Sequence, residues 1–476
     1  MTDTTAEPTQ GGSTELKVTR PFDGTPLATL ERTSEEAAFA ALARAHALYA
    51  DRTAWLDAAT RISILERFAE RVSAEAEALA LQAASEGGKP LKDSRIEIER
   101  AVSGIKVACA EIAQLHGTEV PMRLSAASAH RCAYTYREPR GVVLAISAFN
   151  HPFNLIIHQV VTAVAVGCPV LVKPASSTPL SCLRIVELLR DVGLPDGWCT
   201  CILPENRVAT KLVADTRISF LSFIGSAKVG WMLRSKLAPG ATCALEHGGA
   251  APVIIDETAD LDRCVPLLAR GGFYHAGQVC VSVQRIYVQR KLAGTLAEKL
   301  VEAARAMKVG DPTHADTDIG PLIDPGEVDR VHEWVGEARA SGAEVLCGGE
   351  KLGATCYAPT VLLNPSDEAR VSREEVFGPV VAVYTYDTMD EAIARANAPD
   401  LFFQASIFTQ DIDTALSVSR RLHGMTVMVN DHTAFRVDWM PFGGHRQSGL
   451  GLGGIGHSMR DMTLERMVVF HSPGLC

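Results

Sequence analysis

The run Phe273-Tyr-His-Ala-Gly-Gln-Val-Cys280 places one thiol just after a glycine. A carboxylate, Glu246, stands 34 positions before it in Leu245-Glu-His-Gly-Gly249, and an amide, Asn150, stands earlier still in Ala148-Phe-Asn-His-Pro152. A thiolate attacks a carbonyl carbon, an amide N–H steadies the oxyanion that forms, and a carboxylate activates water. Those three types together can oxidise an aldehyde through a covalent thioester. Each has a blander reading alone: one cysteine of twelve is most often a small buried hydrophobe, Glu246 a cap or surface charge, and Asn150 a turn residue before His-Pro. Their arrival as a set favours chemistry.

The elements that must hold them fall into two textures. From Ser34 to about Gly87 apolar residues recur at three- and four-residue steps, with Ser34-Glu-Glu as a helix cap and Glu86-Gly-Gly-Lys-Pro90 as a stop. A second helical segment covers about Ser94 to Gln114. Short apolar strands then alternate with helices: Gly141–Ser147, Pro169–Lys173, Thr200–Leu203 and Ile218–Phe223, with a helix over Leu180–Val192. That alternation predicts an α/β fold with a doubly wound, mostly parallel sheet and ligands at its C-terminal strand ends. A further alternating region follows Gly249, with strands at Pro252–Ile255, Gln284–Gln289 and Val380–Tyr384 and helices near Leu292–Met307 and Gly326–Ala340. The apolar strand Arg466–His471 has no evident partner in its own chain, which suggests pairing across a subunit interface; Ala129–Tyr136 could belong to the same projecting element.

Taken in this order, the three segments resemble the aldehyde dehydrogenase superfamily from about residue 15 to the C-terminus. Asn150-His-Pro-Phe-Asn154 is similar to the branch with lactaldehyde and phosphonoacetaldehyde dehydrogenases. The resemblance implies a Rossmann-like cofactor domain over 15–117 and 139–248 and an α/β catalytic domain over 249–446. It also implies a small β oligomerisation element over 118–138 and 457–476, building a homodimer or homotetramer, with 1–14 a disordered tail. It implies that Cys280 attacks the aldehyde, that Asn150 and the Cys280 N–H hold the oxyanion, and that Glu246 activates the hydrolytic water.

The cofactor implied is NAD or NADP. Gly225 and Ser226, in Phe223-Ile-Gly-Ser-Ala-Lys-Val-Gly230, follow a strand and open a helix, a place for a pyrophosphate. By resemblance Lys173 contacts a ribose, Glu375 and Phe377 hold the nicotinamide side, and Ala148 and Phe149 belong to the cofactor site. Ser176 stands where NAD-preferring members often carry glutamate, so a 2′-phosphate meets no repelling charge and NADP is expected to be tolerated. Gln159 stands where lysine is usual, His247 where leucine is, and Ala250 where lysine often follows the glycine pair. Arg446, in the Met440–Gly449 segment, also replaces a lysine and reads as structural.

Val279 and Val281 flank the nucleophile, an apolar collar that favours an uncharged or hydrophobic aldehyde. Arg436 could hold a substrate carboxylate, but a salt bridge to Asp438 or Asp431 is the expected role; His151 could orient a substrate oxygen or be a satisfied structural histidine. Two rivals remain. A CoA-acylating semialdehyde dehydrogenase would use the same cysteine, though Glu246 would divert its thioester to hydrolysis, and an idle family member would serve only as a binding or structural protein.

A chain of 476 residues with 47% hydrophobic and 21% charged content fills more than one core. The net charge, 46 − 56 = −10, argues against nucleic-acid and anionic-membrane partners. No Cys/His set has metal spacing, so no metal is expected, and reduced thiols in a cytoplasm are the simplest reading of the cysteines. Leu155 to Val172 is apolar enough to raise a membrane span, but Gly167-Cys-Pro169 splits it into a helix and a strand.

Overall fold

The computed structural model describes residues 14–475; the tail expected over 1–14 lies outside the described residues apart from Thr14. A hairpin comes first, β1 (Glu15–Thr19) against β2 (Pro26–Glu31). Four helices follow: α1 (Glu35–Ala50), α2 (Ala58–Ala74), α3 (Ala76–Gly87) and α4 (Leu91–Ile112). Ser34 caps α1 by accepting from the Ala37 N–H at 3.1 Å, and Gly88, left-handed at φ +75°, closes α3. The helix expected from Ser94 begins three residues earlier, because Pro90 fixes the backbone ahead of the first turn.

β3 (Glu119–Val120) and β4 (Arg131–Pro139) precede the cofactor-type region, which runs β5 (Val142–Ile146), α5 (Asn154–Val166), β6 (Val170–Lys173), α6 (Pro179–Asp191), β7 (Cys199–Cys201), α7 (Asn206–Val213), β8 (Ile218–Ile224), α8 (Ala227–Lys236) and β9 (Thr242–Glu246). After β10 (Ala251–Ile255) come α9 (Leu261–Phe273), β11 (Val283–Gln289), α10 (Ala293–Arg305), α11 (Pro325–Ala340), β12 (Glu344–Cys347), β13 (Thr360–Leu363) and β14 (Val380–Tyr386). The remaining strands are β15 (Leu401–Phe402), β16 (Gln404–Phe408), β17 (Thr426–Val429), β18 (His445–Arg446), β19 (Gly449–Leu450) and β20 (Thr463–His471).

Two large sheets result. One has the order β19-β9-β8-β5-β6-β7, parallel except for β19; the other has the order β12-β13-β14-β11-β10-β16-β17, parallel except for β12. The apolar run Leu155–Val172 is the buried helix α5 leading through left-handed Gly167 into the central strand β6. No helix among the described residues is long and apolar enough to cross a membrane.

The last strand is a correction. β20 finds its partner within its own chain, pairing antiparallel with β4 over nine residues from Thr463↔Pro139 to His471↔Arg131. The apolar run Met467–Phe470 marked a strand but not its partner, because β4 lies more than 300 positions earlier in the chain. The resulting three-stranded sheet leaves Tyr134, Met467, Val469 and Phe470 exposed.

Gln159, where the resemblance led us to note a missing lysine, is buried inside α5. Its amide donates to the carbonyls of Ile146 (3.2 Å) and Ser222 (3.0 Å), tying β5 to β8 beneath the site. Gln159→Leu should therefore strip two buried carbonyls of a donor and cost about 1–3 kcal/mol. The check is the thermal midpoint, and an unchanged midpoint would remove the strut role.

Candidate active site

Glu246 is the last residue of β9, and five residues later β10 opens the other sheet. The base candidate therefore sits on the crossing between the sheets. Asn150 follows the C-terminal end of β5 and Gly225-Ser226 follow that of β8, the strand ends expected to face a ligand. Cys280, Glu375 and Phe377 instead precede the N-terminal ends of β11 and β14. The two sheets thus meet end to end around one space.

That space is a cavity of about 940 Å³. Ala148, Phe149, Asn150, His151, Gly225, Ser226, Glu246, Val279, Cys280, Val281, Glu375, Phe377 and Arg436 all line it. Lys173 and Ser176 lie beyond that lining: Lys173 is buried at the end of β6, Ser176 is exposed just past it, and the lining reaches only Ala175 between them. Among the described residues no cluster could hold a metal ion.

Three acids crowd the centre. Burial pushes the Cys280 thiol up, and the carboxylates of Glu375 and Glu246 push it further, while Arg436 and a backbone N–H pull the other way. Burial raises the Glu246 carboxyl, again opposed by Arg436, and pushes that of Glu375 up to about 8. The Asn150 amide donates to the Gln278 carbonyl at 2.9 Å, which sets it against the loop carrying the nucleophile. His275 and Ala276 in that loop, at φ +49° and +54°, hold the left-handed region with Gly277.

The glycine pair after Glu246 sits where no side chain fits. A Cβ at Gly248 would lie 1.8 Å from Glu375 Oε2, and one at Gly249 would lie 3.0 Å from the Cys280 carbonyl oxygen. What approaches closely is the chain itself. The Gly249 N–H donates to Glu375 Oε1 at 3.2 Å, fixing that carboxyl over the base strand. His247 bonds through Nδ1 to the Gln447 carbonyl (2.9 Å) and meets Phe223 and Trp231 edge to face. A Cβ on Gly230 would come within 1.9 Å of its Nε2, so glycine there makes room for the imidazole.

Arg436 is a second correction. Asp438 is already taken: it accepts from both guanidinium arms of Arg100 (2.8 and 3.2 Å) and from Asn154 (3.1 Å), and faces His158 Nε2 at 2.7 Å. Arg436 therefore lies over the Phe442 ring, 3.6 Å from its centre, with Nη2 3.4 Å from His158 Nδ1. Val279 and Val281 do form the apolar collar, packed with Phe403 and Phe442. Beyond it, however, the wall carries Arg100, Arg270 and Arg436, so the collar alone does not set the polarity of the pocket. Arg100 lies on α4, far from any motif, and Arg270 on α9, three residues before the run that leads to Cys280; residue type alone sets neither apart from an ordinary solvated charge. His151 Nε2 lies 3.2 Å from the Tyr274 hydroxyl, and Arg446 pairs with Asp400 at 3.1 Å as a structural residue.

For a nicotinamide dinucleotide the fit is good at α8. Ser226 occupies the N-cap position without capping the helix through its own side chain, which leaves the first backbone N–H groups directed at the cavity. Phe149 and Phe377 meet edge to face at 5.9 Å beside it. A model of the aldehyde dehydrogenase family matches residues 8–468. The chain belongs to that family. It is 38% identical to a 3-sulfolactaldehyde dehydrogenase of Priestia megaterium over 412 residues, 86% of either chain. It is 34% identical to a lactaldehyde dehydrogenase of Methanocaldococcus jannaschii over 86% of this chain and 87% of that one. Among solved structures it is similar to aldehyde dehydrogenase 21 of Physcomitrella patens in complex with the product succinate. The TM-score there is 0.94 and the identity 33%, covering 99% of this chain and 98% of that one.

The Glu375 carboxyl gives a pH test. The unfolded chain releases this proton near 4.5 and the folded chain near 8, so between those values the folded state binds more protons and loses stability as pH rises. The cofactor-free protein should melt at a lower temperature at pH 8 than at pH 5, and Glu375→Gln should shrink that difference. An equal difference in the variant would contradict the buried protonated carboxyl.

Proposed function

We propose that this enzyme oxidises a small aldehyde with an anionic far end to its carboxylic acid, using NAD or NADP, through a thiohemiacetal and a thioester on Cys280. The observation that carries the reading is that Cys280, Glu246, Asn150 and Arg436 line one cavity. The Cys280 sulfur adds to the carbonyl carbon, and the oxyanion lies between the Cys280 N–H and the Asn150 amide. The bound nicotinamide supplies the hydride acceptor. Glu246, whose carboxylate is made a stronger base by burial, takes a proton from the water that hydrolyses the thioester. Gly225, Ser226 and the α8 N-terminus hold the pyrophosphate, Lys173 and Ser176 the adenosine ribose, and Glu375 and Phe377 the nicotinamide side, with Ala148 and Phe149 along the channel.

An anionic substrate is favoured because Arg270 and Arg436 line the cavity without an ion pair among the described residues. A guanidinium inside a collar of valines and phenylalanines recognises a carboxylate or sulfonate more strongly than one in water. The six-stranded sheet is the core of the cofactor domain (15–117 and 139–248) and the seven-stranded sheet that of the catalytic domain (249–446). The sheet of β3, β4 and β20 forms the oligomerisation element (118–138 and 457–476), its exposed apolar face meeting a second copy. A reducing cytoplasm suits a cysteine that must stay a thiol.

Cys280→Ala should abolish aldehyde-dependent formation of reduced cofactor. Glu246→Gln should keep the first burst and lose roughly 10²-fold or more in steady turnover; full steady-state activity in that variant would contradict the assigned base. Arg436→Met should raise KM for succinic semialdehyde at least about tenfold while changing KM for propanal little, and equal changes for both aldehydes would sink the anionic reading. Ser176→Glu should cut kcat/KM for NADP by about tenfold or more with NAD little altered. An unchanged NADP value would remove the role given to Ser176.

A further inference from the structure

α5 begins without a cap of its own: Phe153, at its N-cap position, offers no side-chain acceptor. The missing acceptor arrives from another helix. Glu97 of α4 accepts from the Phe153 N–H at 2.9 Å and from the Asn154 N–H at 2.8 Å through one carboxylate oxygen. The other oxygen accepts from Lys89 Nζ, and both side chains are fully withdrawn from solvent. A buried charge pair is retained only where its remaining hydrogen bonds are satisfied, and here the positive end of α5 satisfies them.

The turn held in this way is the one that carries Asn150. Two residues separate Asn150 from Phe153. Pro152 among them fixes its own backbone angle and packs 3.6 Å from where a Gly87 side chain would begin. The same elbow between α3 and α4 grips the nucleophile loop from the other side. The Leu91 N–H donates to Pro312 at 2.7 Å, and a Cβ on Gly88 would meet Pro321 at 2.9 Å. Pro321 and Ile323 in turn hold the Gln278 side chain at 3.2 and 3.0 Å. Asn150 and Gln278 are the two residues whose contact sets the amide over the nucleophile loop.

We propose that Glu97 is a positioning residue for the oxyanion site. It fixes the turn Asn150–Asn154 so that the Asn150 amide faces the carbon attacked by Cys280. This rests on the oxyanion role given to Asn150 above. Glu97 touches neither substrate nor cofactor, and its effect passes through Asn150 alone. Arg100, one helical turn further along α4, lines the substrate wall, so α4 sets the oxyanion donor and the substrate pocket as one unit.

The test is a rapid-mixing burst of reduced cofactor on the full-length enzyme, with whichever of propanal, lactaldehyde and succinic semialdehyde the wild type oxidises fastest. Asn150→Ala should slow the burst by about 10²–10³-fold, and Glu97→Gln by about 10–100-fold through misplacement of the donor. Cofactor dissociation constants should stay within about twofold in both. In the Asn150→Ala background, Glu97→Gln should add less than about a further twofold, because the group it positions is gone. A purely structural Glu97 would slow the burst equally in both backgrounds, and that result overturns the proposal. Should Glu97→Gln fold poorly with Lys89 left unpaired, Lys89→Met/Glu97→Gln removes the buried pair together and should show the same burst defect; a wild-type burst in that folded variant overturns the proposal equally. A wild-type burst in Asn150→Ala defeats the oxyanion reading and this one with it. A slow Asn150→Ala beside a fast Glu97→Gln defeats only the positioning role.

Discussion

Cys280, Glu246 and Glu375 all gain a negative charge on losing a proton, and all three line one cavity, with Arg436 opposing the shifts of the first two and Arg330 that of the third. Desolvation raises all three, and the two carboxylates raise the Cys280 thiol further, so each holds its proton more tightly than an exposed group would. Much of the surrounding structure follows from having to hold them together. Gly248 is side-chain-free because the Glu375 carboxyl fills that volume, and Gly453 is so because the Glu246 carboxyl does. Arg436 is kept from Asp438 by Arg100, Asn154 and His158, so its charge remains with the acids. The end-to-end meeting of the two sheets makes such crowding possible, since each sheet delivers its residues without enclosing the site alone.

The alternation of short apolar strands with helices was legible in the sequence because central parallel strands are apolar throughout. β5, β6, β8, β10, β11 and β14 fall where that pattern placed them. The hairpin of β1 and β2 and the edge strand β17 were not legible, because half-exposed edge strands carry too little apolar signal. The partnership of β20 with β4 was missed for a related reason: pairing between strands more than 300 positions apart leaves no local trace. At the site, Asn150, Glu246 and Cys280 were readable as motif residues, and the structure brings them to one cavity. Glu97, Lys89, Arg100 and Arg270 were not, since a lone charge on a helix or in a turn looks solvated until the fold shows what covers it. Burial distinguishes Glu97 and Lys89, and the cavity they line distinguishes Arg100 and Arg270.

The pocket wall shows how far short-range reading reaches. Val279 and Val281 describe the immediate surroundings of the sulfur. The arginines that line the same cavity come from α4, α9 and the loop before β18, and are united only by folding. The similar proteins span sulfonated and hydroxylated small aldehydes and, in a solved complex, a dicarboxylate product.

His247 and Gly230 form a matched lock. The imidazole occupies the volume that any side chain on the cofactor-side helix would need. Along a lineage the two positions are therefore free to drift only in a set sequence: the larger ring must leave first, before position 230 can acquire even a methyl. A descendant that reverses that order must displace either the ring or α8, whose opening residues line the same cavity as Cys280, so an apparently neutral exchange on a helix would register in the shape of that cavity.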